Sequence, residues 1–189
     1  MGGSTYIANP MSRKDIFKIA RIVRLFSNRD SEVSFDVVRF LEHDMLNFDP
    51  DFYVQIVPDG DMGVKHAEAC PSEHTIRIAE SVYIRAVAGS GRARGTIAHE
   101  IGHYIMHDGT SVRCARTHEL VPTFQDPEWQ AKVFQSALLA PEHIIRNMTV
   151  DEVSIKCGIS WDAADFHVSK IRAGRLCLVR PLSSRQMKY

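Results

Sequence analysis

The stretch Thr96-Ile97-Ala98-His99-Glu100-Ile101-Gly102-His103-Tyr104-Ile105-Met106-His107 carries two histidines four residues apart. On a helix, that spacing puts both imidazoles on one face about one turn apart, where they can bind one ion. Ile97, Ala98, Ile101 and Ile105 supply packing positions around them, so a helix is predicted over 92–107, closed by Asp108-Gly109. Glu100 adjoins the first histidine and can reach an open metal position, which makes the arrangement HExxH with Glu100 as general base toward metal-bound water. Zinc suits nitrogen and carboxylate ligands in an open tetrahedral site. With nine His and ten Glu in 189 residues, HExxH arises by chance in about 2% of such chains, so the motif needs structural context. The mid-helix position supplies it and weighs against a merely hydrogen-bonded histidine pair.

A catalytic zinc needs a third protein ligand. His107 follows His103 by four residues, but at 1.5 Å per residue it lies about 12 Å along the axis from His99. It is assigned to packing or to supporting His103. Beyond Gly109 the candidates are His118, Glu119 and Glu128, with Asp108 ranked behind them. His118 and Glu119 fall in a predicted loop. Glu128 falls in the first turn of a helix that Asp126-Pro127 opens as cap and first residue. It shares a stripe with Ala131, Gln135 and Leu138, bordered by Phe134, and is expected to face inward, where a buried carboxylate needs a partner or a metal. The competing reading is a helix-N-terminal carboxylate.

Upstream, Ser12 is predicted to cap a helix to about Phe26 with the stripe Ile16, Ile19, Ala20, Val23 and Phe26. A second helix is predicted over 34–47, with Val37, Phe40, Leu41 and Met45 on one face and Asp49-Pro50 as its stop. Tyr53–Val57 alternates as a strand and Pro58-Asp59-Gly60 turns the chain. Gly63–Ala67 is a short candidate strand and His74–Ala79 a clearer one, expected at a sheet edge where a substrate backbone could pair. Pro141 follows the 127 helix, Thr149-x-x-Glu152 is a capping box, and Ser160 caps a last helix to about Ala173. The predicted class is α+β, a small early sheet packed against mainly C-terminal helices.

Composition bounds the function. Hydrophobic residues at 44% and charged ones at 24% exclude a disordered chain, and 189 residues suit one core. Lys+Arg and Asp+Glu balance at 23 each, which argues against a bulk nucleic-acid binder. No apolar run approaches a membrane span, and the start, MGGSTYIANPMSRK, shows no secretory signal. Cys70, Cys114, Cys157 and Cys177 form no CxxC pair and read as reduced thiols, so a cytoplasmic setting is expected. Charge is segregated. Arg13, Lys14, Lys18, Arg21, Arg24 and Arg29 face one acid, Asp15, within 13–29, whereas 30–61 holds nine acids and one base, Arg39. The last twenty residues are basic throughout.

Three blocks together resemble the ImmA/IrrE-type metallopeptidases: HTIRIAESVYIRAVAGSGRARGTIAHEIGHYIMH from His74, EWQAKVFQSALLAP from Glu128 to Pro141, and VSIKCGISWDAADFHVSKI from Val153. The resemblance covers about residues 74–172. It implies a gluzincin-like zinc peptidase with a zincin-type active-site helix, metal ligands His99, His103 and Glu128, and Glu100 as the catalytic base. Lys132 stands where that family usually has Asn, Gln135 and Ser136 where it has small residues, and Gly95 where an aromatic is common. These departures bear on the shape of the pocket and not on the metal residues. Residues 1–70 carry no recognised match and are expected to pack on the 71–189 peptidase-like region in one compact domain.

The resemblance also implies one zinc ion and an intracellular endopeptidase of a bacterium, phage or mobile element. The implied substrate is a protein regulator, a helix-turn-helix repressor or an antitoxin. No direct nucleic-acid contact and no membrane contact are expected. Tyr104, His107, His118 or an arginine are the candidates for stabilising an oxyanion. Two rival readings are a non-catalytic zinc-stabilised partner-binding regulator and a toxin subunit of a toxin–antitoxin pair. Glu100 favours an enzyme, because a structural site has no use for a general base.

Overall fold

Short polar residues cap the helices, and two alternating apolar stretches form a pair of neighbouring strands. The computed structural model describes residues 6–107, 112–114 and 121–178. In chain order the elements are β1 (Tyr6–Ala8), α1 (Arg13–Phe26), α2 (Val37–Arg39), β2 (Tyr53–Val57), β3 (Ala67–Cys70), β4 (Thr75–Ala79), α3 (Glu80–Val87) and α4 (Gly91–Met106). They continue as β5 (Val112–Cys114), α5 (Pro127–Leu139), α6 (Glu142–Ile145), α7 (Val150–Cys157) and α8 (Trp161–Leu178). This is an α+β fold with its sheets early and its helices mainly C-terminal. No helix among the described residues is long and apolar enough to cross a membrane.

The predicted caps are present. Ser12 Oγ accepts from the Asp15 N–H at 3.2 Å. Asp126 accepts from the Glu128 N–H at 3.0 Å, with Pro127 as the first helical residue. Both halves of the Thr149/Glu152 box are made, at 3.2 and 2.9 Å. Ser160 Oγ accepts from the Ala163 N–H at 3.3 Å, and α8 runs to Leu178, beyond the predicted end at Ala173. The proposed stop of α4 at Asp108-Gly109 lies outside the described residues.

The strands depart from expectation in two ways. β4 is the centre of its sheet, parallel to β2 from Tyr53↔Thr75 to Val57↔Ala79 and antiparallel to β3 from Ala67↔Ile78 to Cys70↔Thr75. Both edges of β4 are thus taken and it cannot add a substrate strand; Ile76 and Ile78 are wholly buried on one face, while on the other Thr75 is buried and Arg77 stays partly exposed. The edges of the sheet belong to β2 and β3. The strand predicted at Gly63–Ala67 is also displaced. Asp59–Met62 is a 3-10 turn and Gly63 takes φ +60°, so the chain becomes extended only from Ala67. β1 pairs antiparallel with β5 as a second, two-stranded sheet, and α3 follows β4 directly; neither was predicted. The predicted 34–47 helix is broken into α2, a π segment over Phe40–Asp44 and a 3-10 turn over Met45–Asn47. Its four stripe residues, Val37, Phe40, Leu41 and Met45, are nevertheless all fully buried.

In α1, Ile16, Ala20 and Val23 are buried as the stripe requires, whereas Phe26 is half-exposed, its ring 4.4 Å from that of Phe48. Arg24, counted by sequence among the basic surface charges, is instead fully buried. Its guanidinium donates to the Leu138 carbonyl at 2.7 Å and to the Glu32 carbonyl, and lies over the Phe35 ring. Arg94 does the same from α4, donating to the carbonyls of Phe35 and Gly158 at 2.8 Å each. These two arginines tie the segment around 32–35 to α5 and to the end of α7. A buried charge is tolerable only where such acceptors replace its water.

α4 runs through the centre of the molecule, and α5 packs closely across it. A Cβ at Gly102 would meet Phe134 Cδ1 at 2.9 Å. The glycine inside His-Glu-Ile-Gly-His therefore permits the close approach that brings the start of α5 to the two histidines.

Candidate metal centre

One face of α4 presents His99 and His103, with their Nε2 atoms 3.0 Å apart. The cap at Asp126 places Glu128 in the first turn of α5. One Glu128 carboxylate oxygen lies 3.3 Å from His99 Nε2 and the other 3.3 Å from His103 Nε2. One ligand atom from each of the three side chains lies within 4.8 Å of the others, a range that takes in the separation of about 3.3–3.4 Å between ligands held about 2.0–2.1 Å from a tetrahedral zinc. Two imidazoles and a carboxylate are also a donor set that zinc takes in hydrolases. Among the described residues no fourth metal-binding group joins the cluster.

Glu128 is not buried as its stripe suggested, since its side chain is 55% exposed. The first turn of a helix opens to solvent, and what holds the carboxylate is contact rather than desolvation. Hydrogen bonds from His103 and His99 keep its carboxyl well below the ordinary carboxylate range.

The hydrogen bonds behind His103 choose its tautomer. Gln130 is fully buried, and its Nε2 donates to the Asn9 and Phe124 carbonyls, both at 2.8 Å. That orients Oε1 as an acceptor, 2.8 Å from His107 Nε2, so His107 carries its proton there. Burial pushes the His107 imidazole down to about 4, and the ring is neutral with a bare Nδ1. His103 Nδ1, 2.9 Å away, must then be the donor. With Nδ1 turned back as the donor to His107, Nε2 is the nitrogen of His103 that faces His99 and Glu128. His107 thus supports His103 from behind, as its distance from His99 required.

Glu100 is tied to the sheet. Its Oε2 accepts from the Ala69 N–H of β3 at 2.9 Å, so its carboxylate sits between the histidine face and the outer edge of β3. Tyr104 turns away from the site. Its hydroxyl donates to Asp49 at 2.5 Å, its ring packs edge-on to Phe52, and burial with that carboxylate pushes its phenol up. This removes Tyr104 as an oxyanion donor, and His107 is excluded because both of its nitrogens are engaged. His118, Glu119 and Asp108 lie outside the described residues.

Sequence reasoning did not find Gln130 or the Ala69 N–H. Gln130 is two positions from Glu128, but nothing in a linear sequence pairs it with His107. A second group, Asp49, Asp51 and His74, also comes within ligand distance. There Asp49 is held below its ordinary range by the hydrogen bond from Tyr104 and then by His74, whose Nδ1 is 2.7 Å away and whose imidazole Asp49 in turn raises.

A family model for peptidase M78, described as the IrrE N-terminal-like domain, matches residues 51–172. That span holds the whole β2–β4 sheet and all four site residues, and begins upstream of the motif-bearing blocks. No curated protein matches the chain.

Proposed function

The chain belongs to the IrrE N-terminal-like peptidase family, and from that premise we propose that it is a zinc-dependent endopeptidase acting on a protein regulator. The observation that carries the reading is the meeting of His99, His103 and Glu128 within ligand distance of one another, with Glu100 on the same helix and its Oε2 held by the Ala69 N–H. When bound, zinc supplies Lewis acidity to the scissile carbonyl and to the attacking water. The chain's own residues do the rest. His99 and His103 offer Nε2 lone pairs, and Glu128 supplies the balancing negative charge. Glu100 accepts the water's proton on its free oxygen, while Oε2 is steadied by Ala69, and delivers that proton to the departing amine. The outer edge of β3 offers backbone groups to an extended substrate segment beside Glu100.

The family resemblance supports a helix-turn-helix repressor or an antitoxin as substrate; that is an argument from analogy and concerns class only. A non-catalytic zinc-stabilised regulator, or a toxin subunit, would need no base at position 100. Glu100→Gln distinguishes them. It keeps nearly the same shape but cannot take the proton, so zinc content and thermal unfolding should be unchanged while cleavage of the co-purified partner falls on the order of 10²–10⁴-fold. Zinc content is read by metal analysis and cleavage by mass spectrometry. Undiminished turnover in a zinc-replete Glu100→Gln protein would remove Glu100 as the base.

A further inference from the structure

Beside His99 lies a hollow of about 270 Å³, lined by α4, α5, Ile159 and the start of α8. It is smaller than the cavities that take whole drug-sized ligands and suits a single side chain. Two glycines shape it. A Cβ at Gly91 would sit 2.7 Å from the Ile159 carbonyl carbon, so glycine there lets the start of α8 close the hollow. A Cβ at Gly95 would sit 2.7 Å from Gln135 Nε2, so the small residue at 95 makes room for the amide at 135. The two departures from the family pattern at 95 and 135 are therefore one structural feature.

The lining is apolar at Leu139, Ile159 and Ala163, and no Asp or Glu contributes to it. Most of its polar groups are already engaged. The Thr96 and Ser136 hydroxyls donate to the Arg92 and Lys132 carbonyls of their own helices, and His167 Nε2 donates to the Ala140 carbonyl at 2.8 Å. The Arg92 guanidinium and the Gln135 amide remain, and among the described residues neither side chain has a hydrogen-bond or ion-pair partner. Arg92 also stands in the first turn of α4, where helix N–H groups add positive potential. An apolar sleeve ending in free donors and a cation fits an aliphatic stem that ends in a carboxylate.

We propose that this hollow is a substrate subsite next to the scissile bond, that it takes a glutamate side chain, and that Arg92 is its specificity-determining residue. The proposal rests on the peptidase reading and sharpens it. The subsite forms no covalent bond and acts through affinity alone.

The test is a nuclear magnetic resonance titration of the zinc-loaded Glu100→Gln protein with three acetylated, amidated alanine hexapeptides carrying Glu, Gln or Lys at one central position. The Glu peptide is expected to bind about two- to fivefold tighter than the Gln peptide, the range of an exposed ion pair, and the Lys peptide weakest. The shifts should centre on Arg92, Thr96 and Gln135. Arg92→Ala, an exposed position, should erase the preference, and Arg92→Glu should transfer it to Lys. Equal binding of the three peptides, or a Glu preference that survives Arg92→Ala, overturns the subsite. A parallel incubation of the co-purified partner with the zinc-loaded wild type, read by mass spectrometry, tests the peptidase reading separately. Absence of cleavage there counts against the peptidase and leaves the titration to decide the subsite.

Discussion

Gln130 reaches the metal face only through His107, and the relay has consequences at single side chains. Gln130→Leu would strand the Asn9 and Phe124 carbonyls and leave His107 free to change tautomer, so that His103 could no longer be held with its Nε2 toward His99 and Glu128. Loss of such outer-shell support typically costs 10–100-fold in metal affinity. Competition against a chelator of known zinc affinity should show a weakening of about that size, and unchanged affinity would dissociate the relay from the metal. His107 also has a signature in acid. Its imidazole is held at about 4 in the folded protein by burial, below the ordinary value near 6.5. Between those values the unfolded chain binds a proton that the folded chain refuses. The stability is therefore complete above about pH 6.5 and is lost as pH falls toward 4, by about 3 kcal/mol at the limit. Denaturant unfolding of the metal-free protein from pH 7 to 4.5 reads this, and His107→Asn should lessen the slope. An identical slope in the variant would assign the acid sensitivity to other groups.

At the scale of elements, the decisive contact is α4 against α5. Phe134 is fully buried and cannot step aside, so Gly102→Ala forces a methyl into a 2.9 Å space. Overpacking of that kind typically costs about 1–3 kcal/mol, and the helices must also part, which withdraws Glu128 from the histidines. Both thermal stability and zinc affinity should fall together. Retained zinc affinity in a destabilised Gly102→Ala protein would show that the metal ligands tolerate a wider separation of the helices. Helix starts were legible because a cap and the N–H that donates to it lie within three residues of each other, as at Thr149 and Glu152. The rank of a strand within a sheet is a non-local property. Thr75–Ala79 has an apolar alternation that an edge strand and a central strand can share, and only the pairing of β2 and β3 on its two sides makes it central.

For the whole molecule, the charge segregation read from sequence survives in reduced form. Arg24 belongs to the core and Arg29 lies 3.5 Å from Asp44. Lys18 pairs with Asp15 at 2.9 Å and Arg21 with Asp30 at 3.2 Å. What α1 offers a partner is a surface centred on Lys14, Lys18 and Arg21, along one side of a groove that continues through Phe17 to Lys170 of α8. Steering by exposed charge is screened beyond about 10 Å at 0.1 M salt. Cleavage of the partner should accordingly slow as salt rises, and Lys14→Glu with Lys18→Glu and Arg21→Glu should slow it further at low salt while zinc content stays constant. Rates that are insensitive to both would remove α1 from recognition.

The sequence by itself determined what short-range geometry determines. His99 and His103 share a face because a helix repeats every 3.6 residues, His107 cannot join them because the same helix rises 1.5 Å per residue, and Asp126-Pro127 starts α5 because one side chain caps a free N–H two residues away. The choice of Glu128 came from its helix position and from resemblance, and the physical reason first offered for it, burial, does not hold. Tertiary structure alone decided the contacts made across long separations. It brought Gln130 behind His107, the Ala69 N–H onto Glu100, Arg24 into the core and Gln135 into the space above Gly95. Each depends on how two elements dock, and docking is set by the volume and hydrogen-bonding needs of many buried groups at once. No spacing along the chain encodes that sum.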